Sequence, residues 1–312
     1  MKVLLAIDGS DASMSAVAMA AALPLPPGSA LEVVSVIPDS FAPEGAVWPN
    51  VVRIDPPTDR TRINDDVSRR LLEVAERLRA ADRTVEVRVL DGRPATEIVA
   101  EAERFEADLI VMGARGLSAV RRLLLGSVSS EVVDHAPCPV LIARHAKVER
   151  VLLATDGSPS ATDATSFVAE SGLFKASQIR IISIGNPGMP WWVGVTPIDG
   201  VTSIDIYTDE AEASERHARH VSEEAAERLG ELHVSGTTAI RDGDVVSAIL
   251  DEAKGWNADL IVVGARNMGT MHRWLVGSIS RSVLHLADAS VLIVRPHVAP
   301  VAEQEAEWTV PA

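Results

Sequence analysis

The chain lacks the features that mark secreted and membrane proteins. Its 312 residues include one cysteine, Cys138, and no apolar stretch approaches the ~20 residues that a transmembrane helix requires. A single cysteine excludes an intrachain disulfide and is typical of a reducing compartment. The chain opens on a strand-like run, without a basic leader or a small-residue cleavage site. We therefore expect a cytoplasmic protein without a membrane partner.

The sequence also has no long basic run, and its formal net charge is −15. An acidic surface repels phosphate backbones, so a nucleic-acid partner is not expected. There is no G-x4-G-K-[ST] loop and no H-R-D or D-F-G kinase motif. A dehydrogenase carries its glycine fingerprint directly after the first strand, where this chain has Asp8-Gly9-Ser10. A dehydrogenase is therefore disfavoured, as are enzymes built on those motifs.

What the chain does have is an internal duplication. The run from Val3 to Ser10 returns 148 residues later, as V-L-L-A-T-D-G-S from Val151. The run from Ala107 to Arg115 returns 151 residues later. The second copy therefore has three extra residues between its second and third strands. A repeat of this length, in a chain long enough for about two domains, predicts two copies of one fold.

Each copy is predicted to be an α/β domain. We predict one domain over 1–146, a second over 147–296 and a flexible acidic tail over 297–312. Continuous apolar runs, as in parallel strands covered on both faces, alternate with helical stretches. Alternation of this kind indicates right-handed crossovers and a doubly wound, Rossmann-like, five-stranded parallel sheet. The predicted strands of the first copy are 3–7, 30–37, 84–90, 108–112 and 140–143, and the helices are 11–23, 69–81, 94–105 and a short one from Ser127.

The fourth predicted strand leads into a G-x2-G-x9-G-S pattern, formed by Gly113, Gly116, Gly126 and Ser127. Glycines can adopt positive φ and let the backbone approach a ligand without a Cβ in the way. Gly126 and Ser127 stand where a helix begins, so free amides and the positive end of the helix dipole would face an anion. The pattern is compatible with a phosphate site, but taken alone it is more often found in ordinary turns around a short helix.

The position of Asp8 favours the phosphate site. Asp8 ends the first predicted strand as Gly113 ends the fourth. In an open doubly wound sheet, ligands bind beyond the carboxyl ends of the strands where the strand order reverses. If these two strands are neighbours, both residues line one crevice, where Ser127 and Ser129 would add hydroxyl donors and Arg115 a charge partner. The alternative is that Asp8 only caps the first helix.

Asp8, the strand ending near Val36 and the glycine pattern resemble the ATP-binding class of universal stress protein domains, here in tandem as in actinobacterial members. The resemblance implies strand order 3-2-1-4-5 in both copies. It also implies antiparallel pairing of their last strands as an internal pseudo-dimer, which a homodimer could extend. Adenine would contact Ala6, Asp8 and the backbone of Val36. The residues implied to line the rest of the ATP site are Met112, Gly113, Arg115, Gly116, Gly126, Ser127, Val128 and Ser129.

The second copy keeps most of the implied site. Its corresponding residues are Asp156, Ile184, Gly264, Arg266, Gly277, Ser278, Ile279 and Ser280. The position that matches Gly116 is Asn267, whose side chain would project where a phosphate or ribose should lie. Asparagine tolerates the left-handed region better than most residues, so the turn can survive. We nevertheless predict weaker ATP binding in the second copy.

Two classes of function follow. The first is a regulatory protein of the stress response that holds ATP, with Mg²⁺ as a candidate companion, and changes shape or partner affinity with occupancy. The second is a slow ATPase or autophosphorylating nucleotide hydrolase, although no base poised over a γ-phosphate is evident. A scaffold that has lost nucleotide is disfavoured by the intact pattern in the first copy. No metal site is predicted, because His217 and His220 lie three apart without a third ligand.

Overall fold

The computed structural model describes residues 1–38, 60–80, 82–114, 125–186, 203–265 and 276–295, with the backbone alone at 60–62 and 203–209. The first half contains β1 (Lys2–Ala6), α1 (Asp11–Ala22), β2 (Ser29–Ile37), α2 (Arg60–Leu78), β3 (Arg83–Asp91), α3 (Pro94–Phe105), β4 (Leu109–Gly113), α4 (Ser127–His135) and β5 (Val140–Ala143). The second half contains β6 (Arg150–Ala154), α5 (Pro159–Glu170), β7 (Gln178–Ile184), α6 (Ser203–Glu231), β8 (Gly236–Arg241), α7 (Val245–Trp256), β9 (Leu260–Gly264), α8 (Ser278–Leu286) and β10 (Ser290–Val294).

These ten strands form one sheet in the order β3-β2-β1-β4-β5-β10-β9-β6-β7-β8. In the first half, β1 lies between β2 and β4 in parallel register, with Ala6 opposite Val34 and Met112. In the second half, β6 lies in the same way between β7 and β9. The doubly wound α/β fold and the strand order 3-2-1-4-5 are therefore confirmed in both halves.

The two halves join through their last strands. β5 and β10 pair antiparallel, with Leu141 opposite Leu292 and Val140 opposite Ile293. Since the same strand of each copy meets its counterpart, the halves are related by an approximate twofold axis, as two subunits are in a symmetric dimer. The pairing also covers one edge of each five-stranded half. The predicted internal pseudo-dimer is confirmed, while its extension to a homodimer stays a prediction.

A layer of helices covers each face of the sheet. α1, α2, α5 and α6 pack on one face, around a core that contains Leu5 and Leu153. α3, α4, α7 and α8 pack on the other, around a core that contains Leu4 and Leu152. Because neighbouring residues of a strand point to opposite faces, the central strands must be apolar at every position. This explains the continuous V-L-L-A runs of β1 and β6.

β3 departs from the prediction that every strand is covered on both faces. Its burial alternates, with Val85, Val87 and Val89 partly buried against the core and Glu86 and Arg88 exposed. β3 lies at the end of the sheet, where one face is open to solvent. An edge strand with charged residues on its open face is also a poor template for pairing with another chain.

The second helix begins earlier than predicted. α2 starts at Arg60 and ends at Leu78, whereas the sequence pattern predicted 69–81. Ile63 and Val67 are the apolar residues of its first two turns, and they continue the spacing of Leu71 further along. Two isolated apolar residues among polar ones do not produce a helical signal in the sequence, so the early start depends on packing against the body of the domain.

Buried charges distinguish the two halves. Glu32 in β2 is 2 % exposed, and both its carboxylate oxygens accept hydrogen bonds from Arg104 Nη2, at 2.9 and 2.8 Å. Arg88 Nε lies 3.5 Å from Glu32 and 3.4 Å from Glu101, which is also buried. Burial and the hydrogen bond with Glu101 raise the pKa of Glu32 to about 7. The first half therefore buries two carboxyl groups side by side.

The second half has arginine where the first has Glu32. Arg180 Nη1 donates to Glu252 Oε1 at 2.8 Å, and Arg241 Nη2 lies 2.6 Å from Glu252 Oε2. The Arg180 guanidinium also lies 4.6 Å from the centre of the Trp256 ring. Glu252 is thus a single buried carboxyl group that lies between two arginines. The paired carboxyl groups are thus specific to the first half among the described residues.

Candidate functional site

The structure brings three of the predicted site residues, Asp8, Val36 and Gly113, to one edge of the sheet. Ala6 lies opposite Met112, so that Asp8 and Gly113 come just past them at the carboxyl ends of β1 and β4. Val36 lies two residues past the partner of Ala6 in β2. The strand order reverses between β1 and β4, which is where ligands bind in sheets of this kind.

The side chains of Ala6 and Met112 are not part of the open edge. They are 5 % and 4 % exposed and belong to the core on the face covered by α3 and α4. Both residues therefore form the floor beneath the edge. Val36 is partly buried against the same core.

Gly113 is required by packing. A Cβ built on it would lie 2.5 Å from the carbonyl carbon and oxygen of Ala12 and 2.8 Å from the nitrogen of Ser13. The first turn of α1 therefore crosses directly over the end of β4. Neither Gly113 nor Gly126 has a positive φ, so neither position depends on the conformational freedom of glycine. Sequence reasoning missed this contact; its signal is the small residues in the first turn of α1.

α4 begins without a side-chain cap. Its N-cap is Gly126, with φ −68° and ψ 155°, and this glycine has no side chain that could accept a hydrogen bond from the first amides of the helix. In contrast, the side chains of Ser10, Ser158 and Asp244 accept from the first turns of α1, α5 and α7. The amide of Gly126 itself donates to the carbonyl of Ala114 at 2.9 Å. The donors that α4 offers to an anion are therefore those of its first three residues.

The two serines of this turn have different environments. Ser127 is exposed, whereas Ser129 is 3 % exposed and its hydroxyl donates to the carbonyl of Gly113 at 2.9 Å. The Ser129 side chain thus ties α4 to the end of β4. The hydroxyl that the sequence predicts as a donor to the ligand is therefore bonded within the fold. Val128 packs partly against the core between them.

Asp8 holds the turn that starts α1. Its Oδ1 accepts from the amide of Ser10 at 3.0 Å and from the Ser10 hydroxyl at 2.6 Å. Ser10 in turn is the N-cap and accepts from Ser13 N at 3.2 Å. The alternative that Asp8 itself caps the first helix is therefore wrong, because Ser10 does so. Asp8 is partly exposed at the carboxyl edge, beside a cavity of about 210 Å³ between β1 and α2.

The second half repeats this arrangement closely. A Cβ on Gly264 would overlap the backbone of Ser160 in α5 and come within 3.0 Å of the nitrogen of the next residue. Ser280 Oγ donates to the Gly264 carbonyl at 2.8 Å, and the N-cap of α8 is again a glycine, Gly277, without a side chain that could cap the helix. The remaining predicted residues lie at equivalent positions: Asp156 past β6, Ile184 in β7, and Ser278 and Ile279 in the first turn of α8.

Comparison with known proteins decides the family. The family model described as "Universal stress protein family" matches residues 1–144 and again 147–295. The chain belongs to the universal stress protein family. Membership gives it a stress-response role, and the two matches fall on the two copies of the repeat.

Curated universal stress proteins are similar to this chain. One from Thermus aquaticus is 38 % identical over 151 residues, which are 46 % of this chain and 97 % of the relative. Another from Methanocaldococcus jannaschii is 32 % identical over 151 residues, 47 % of this chain and 84 % of the relative. One from Mycolicibacterium smegmatis is 30 % identical over 199 residues, 61 % of this chain and 62 % of the relative. The first two relatives correspond to about one copy each.

A solved structure shows the tandem form of the fold. The crystal structure of a universal stress protein from Archaeoglobus fulgidus covers 94 % of this chain with 98 % of its own, at a TM-score of 0.60 and 24 % identity. A putative universal stress protein from Pseudomonas aeruginosa covers 95 % of this chain with 93 % of its own, at a TM-score of 0.57 and 17 % identity. At these identities the likeness concerns the fold.

Some predicted residues of the two universal stress protein domains lie outside the described residues. They are Arg115, Gly116, Arg266 and Asn267, together with the tail at 297–312. Within the described ranges, no group of three or more His, Cys, Asp or Glu side chains is placed to hold a metal ion, and His217 Nε2 lies 3.3 Å from the Asp156 carbonyl. Within the same ranges, none of the helices is both long enough and apolar enough to cross a bilayer.

Proposed function

We propose that this universal stress protein binds ATP at the carboxyl edge of its first half and acts as a nucleotide-occupancy sensor. The observation that carries the proposal is the amino end of α4. It begins at Gly126 without a side-chain cap, next to the point where the strand order reverses. The first amides of a helix have no partner within the helix, and together with the positive end of the helix dipole they favour a phosphate group at such a point.

The charge of the protein makes a local site necessary. With a net charge of −15, the surface as a whole repels a polyphosphate, so binding depends on donors held in place. The amides of Ser127, Val128 and Ser129 are such donors, because the Ser129 hydroxyl anchors their turn to the carbonyl of Gly113. Preorganised amides need no rearrangement when the anion arrives, which favours tight binding.

The remaining contacts follow the resemblance to the ATP-binding class. In the proposed complex the adenine and ribose lie near Asp8, the backbone of Val36 and the main chain of Ala6 and Met112. Arg115 and Gly116 complete the phosphate site, and Mg²⁺ would accompany the nucleotide. The partly exposed Asp8 carboxylate at this edge is compatible with a ribose hydroxyl or a metal-bound water as its partner.

The second half is proposed to bind more weakly. Gly277 and α8 reproduce the uncapped amino end, and the residues around them repeat those of the first half. The difference is Asn267 in the place of Gly116, with a side chain where the ligand would approach. ATP titration of full-length protein in which one half has been blocked measures the affinity of the other half. Equal ATP affinities of the two halves would contradict this part of the proposal.

Purification of the protein and identification of any nucleotide bound to it tests the proposed function most directly. We expect ATP, released on unfolding, at about one equivalent per chain if only the stronger site stays filled. Incubation with γ-labelled ATP in single turnover then separates a sensor from an enzyme. No labelled phosphate or labelled protein after hours supports the sensor, whereas turnover or label on Ser127 supports a slow hydrolase. A protein that neither retains nor binds adenine nucleotide would refute both.

A further inference from the structure

Two arginines occupy equivalent places at the boundary between the halves. Arg144 directly follows β5, and Arg295 directly follows β10, 151 residues later. Because β5 and β10 pair antiparallel, the end of each strand points into the other half. Each arginine therefore reaches residues of the opposite copy.

Arg295 holds the carboxyl end of α4. Its Nη2 donates to the carbonyl of Val133, which lies in the last turn of the helix. The last carbonyls of a helix have no partner within the helix, so a buried end needs donors from elsewhere. Arg295 is only 3 % exposed, and it remains a cation at neutral pH although burial lowers its pKa to about 10. A cation there also complements the negative end of the α4 dipole.

Arg144 makes the reciprocal contact on α8. Its Nη2 donates to the carbonyl of Leu284 at 2.6 Å, and its Nη1 donates to Ala289 O at 3.4 Å. Leu284 is the residue of α8 that corresponds to Val133 of α4 in the repeat. The two halves therefore exchange the same contact.

α4 has an additional link to the second half. Arg281 of α8 binds both carboxylate oxygens of Asp134, at 3.2 and 2.7 Å. The repeat places Ser130 and His285 at the corresponding positions, so this ion pair has no symmetric copy. Two cations of the second half thus act on the last turn of α4.

We propose that Arg295 and Arg144 are positioning residues, each for the nucleotide site of the other half. Each fixes the helix that carries the phosphate-binding amides of the other half, so that the affinity of one half depends on an arginine supplied by the other. This inference rests on the proposed function. α4 has nine residues, about 13 Å at 1.5 Å per residue, and moves as one rigid rod. A tilt at Val133 therefore displaces the amides of Ser127 to Ser129.

The coupling acts in both directions. Phosphate bound at the amino end of α4 stabilises one orientation of the helix, and that orientation is the one in which Arg295 reaches Val133. Binding free energies are reciprocal, so a filled first site strengthens the contact with the second half by as much as the contact strengthens binding. The occupancy of one half is thereby reported across the antiparallel β5–β10 junction.

The test compares Arg295→Met with Arg144→Met in full-length protein whose second site is blocked by Gly277→Asp. Methionine fills similar space without donating a hydrogen bond. ATP affinity of the first half is measured by calorimetry. Arg295→Met should raise Kd roughly fivefold or more, the usual size of coupling between sites. Arg144 contacts α8 and not α4, so Arg144→Met should change the Kd of the first half for ATP by less than about twofold. Equal effects of the two variants, or none from Arg295→Met, would overturn the proposal.

Hydrogen exchange of the nucleotide-free variants separates this proposal from the proposed function. Arg295→Met should speed exchange across the α4 peptide more than across α8, and Arg144→Met should do the reverse. That crossed pattern without any ATP binding would support the positioning role and refute the nucleotide site. If the protein binds ATP but the two variants do not each speed exchange most in their own helix, the positioning role is refuted and the nucleotide site is not. Arg295→Lys keeps the charge and should recover part of the loss, and it replaces methionine if that variant does not fold.

Discussion

Aspartate in place of Gly126 would put a carboxylate on the amides that we propose hold the phosphates of ATP. The φ of −68° and ψ of 155° at this position suit any L residue, so the backbone can keep its conformation. An aspartate N-cap accepts a hydrogen bond from the second or third amide of a helix, here Val128 or Ser129. Its charge also interacts favourably with the helix dipole. The nucleotide-free protein should therefore gain about 0.5–1 kcal/mol in free energy of unfolding.

The same carboxylate should prevent binding of ATP. It occupies an amide that a phosphate oxygen would use. It also places two like charges about 4 Å apart, which costs about 4 kcal/mol at an effective dielectric constant near 20. After some relaxation we expect affinity to fall at least about a hundredfold, or roughly 3 kcal/mol. The variant is thus expected to be more stable and unable to bind, a combination that simple damage to the fold does not produce.

Thermal unfolding without nucleotide and calorimetric titration with ATP measure the two effects. Gly126→Asn keeps the hydrogen-bond acceptor without the charge and should lose less affinity. Gly277→Asp makes the matched change in the second half and should leave the affinity of the first half unaltered. A Gly126→Asp protein that melts at a higher temperature and still binds ATP at the original strength would show that the phosphates do not lie on α4, and the reasoning would be refuted.

Three further predictions concern stability and reactivity. Between pH 5 and 8 the free energy of unfolding should fall as pH rises. Glu32 has a pKa of about 7 in the folded chain and an ordinary value of 4.5, so the folded state holds the proton more tightly in that window. Glu32→Gln should remove most of this slope, on the order of 1–3 kcal/mol in urea unfolding, and an unchanged slope would count against the paired carboxyl groups. Gly113→Ala should destabilise the protein by about 2–4 kcal/mol, since the added Cβ meets the backbone of α1. The control is Gly255→Ala, which has open space around it and should be neutral or stabilising in the same thermal melts. Equal effects of the two variants would contradict the packing role of Gly113. Cys138 is 1 % exposed and burial raises its pKa to about 12, so a thiol reagent at pH 8 should label it only on unfolding; rapid labelling of folded protein would refute this.

The sequence predicted the larger features of the fold because they leave regular traces in it. The repeat offsets of 148 and 151 identified two copies and located an insertion between the second and third strands. The structure agrees, since the longer α6 lies between β7 and β8. Apolar runs identified the strands, and the family resemblance supplied their order. The start of α2 at Arg60 was missed because Ile63 and Val67 stand alone among polar residues.

The candidate site was predicted less completely than the fold. Asp8, Val36 and Gly113 do meet at one edge, which follows from strand register. The roles of single atoms did not follow. Gly113 has no Cβ because α1 passes over it, and the Ser129 hydroxyl is bonded to the end of β4. Neither contact can be inferred from spacing, since each depends on how a helix lies on the sheet.

By itself the sequence determined that the chain is duplicated, that each copy alternates strands and helices, and that the first residue of α4 follows a glycine. These properties are local or repetitive, so residue order is sufficient to reveal them. Only the tertiary structure decided that Glu32 shares its buried site with Glu101, and that Arg295 reaches Val133 in the other half. Those contacts join residues 69 and 162 positions apart, and their proximity is set by sheet register and helix packing.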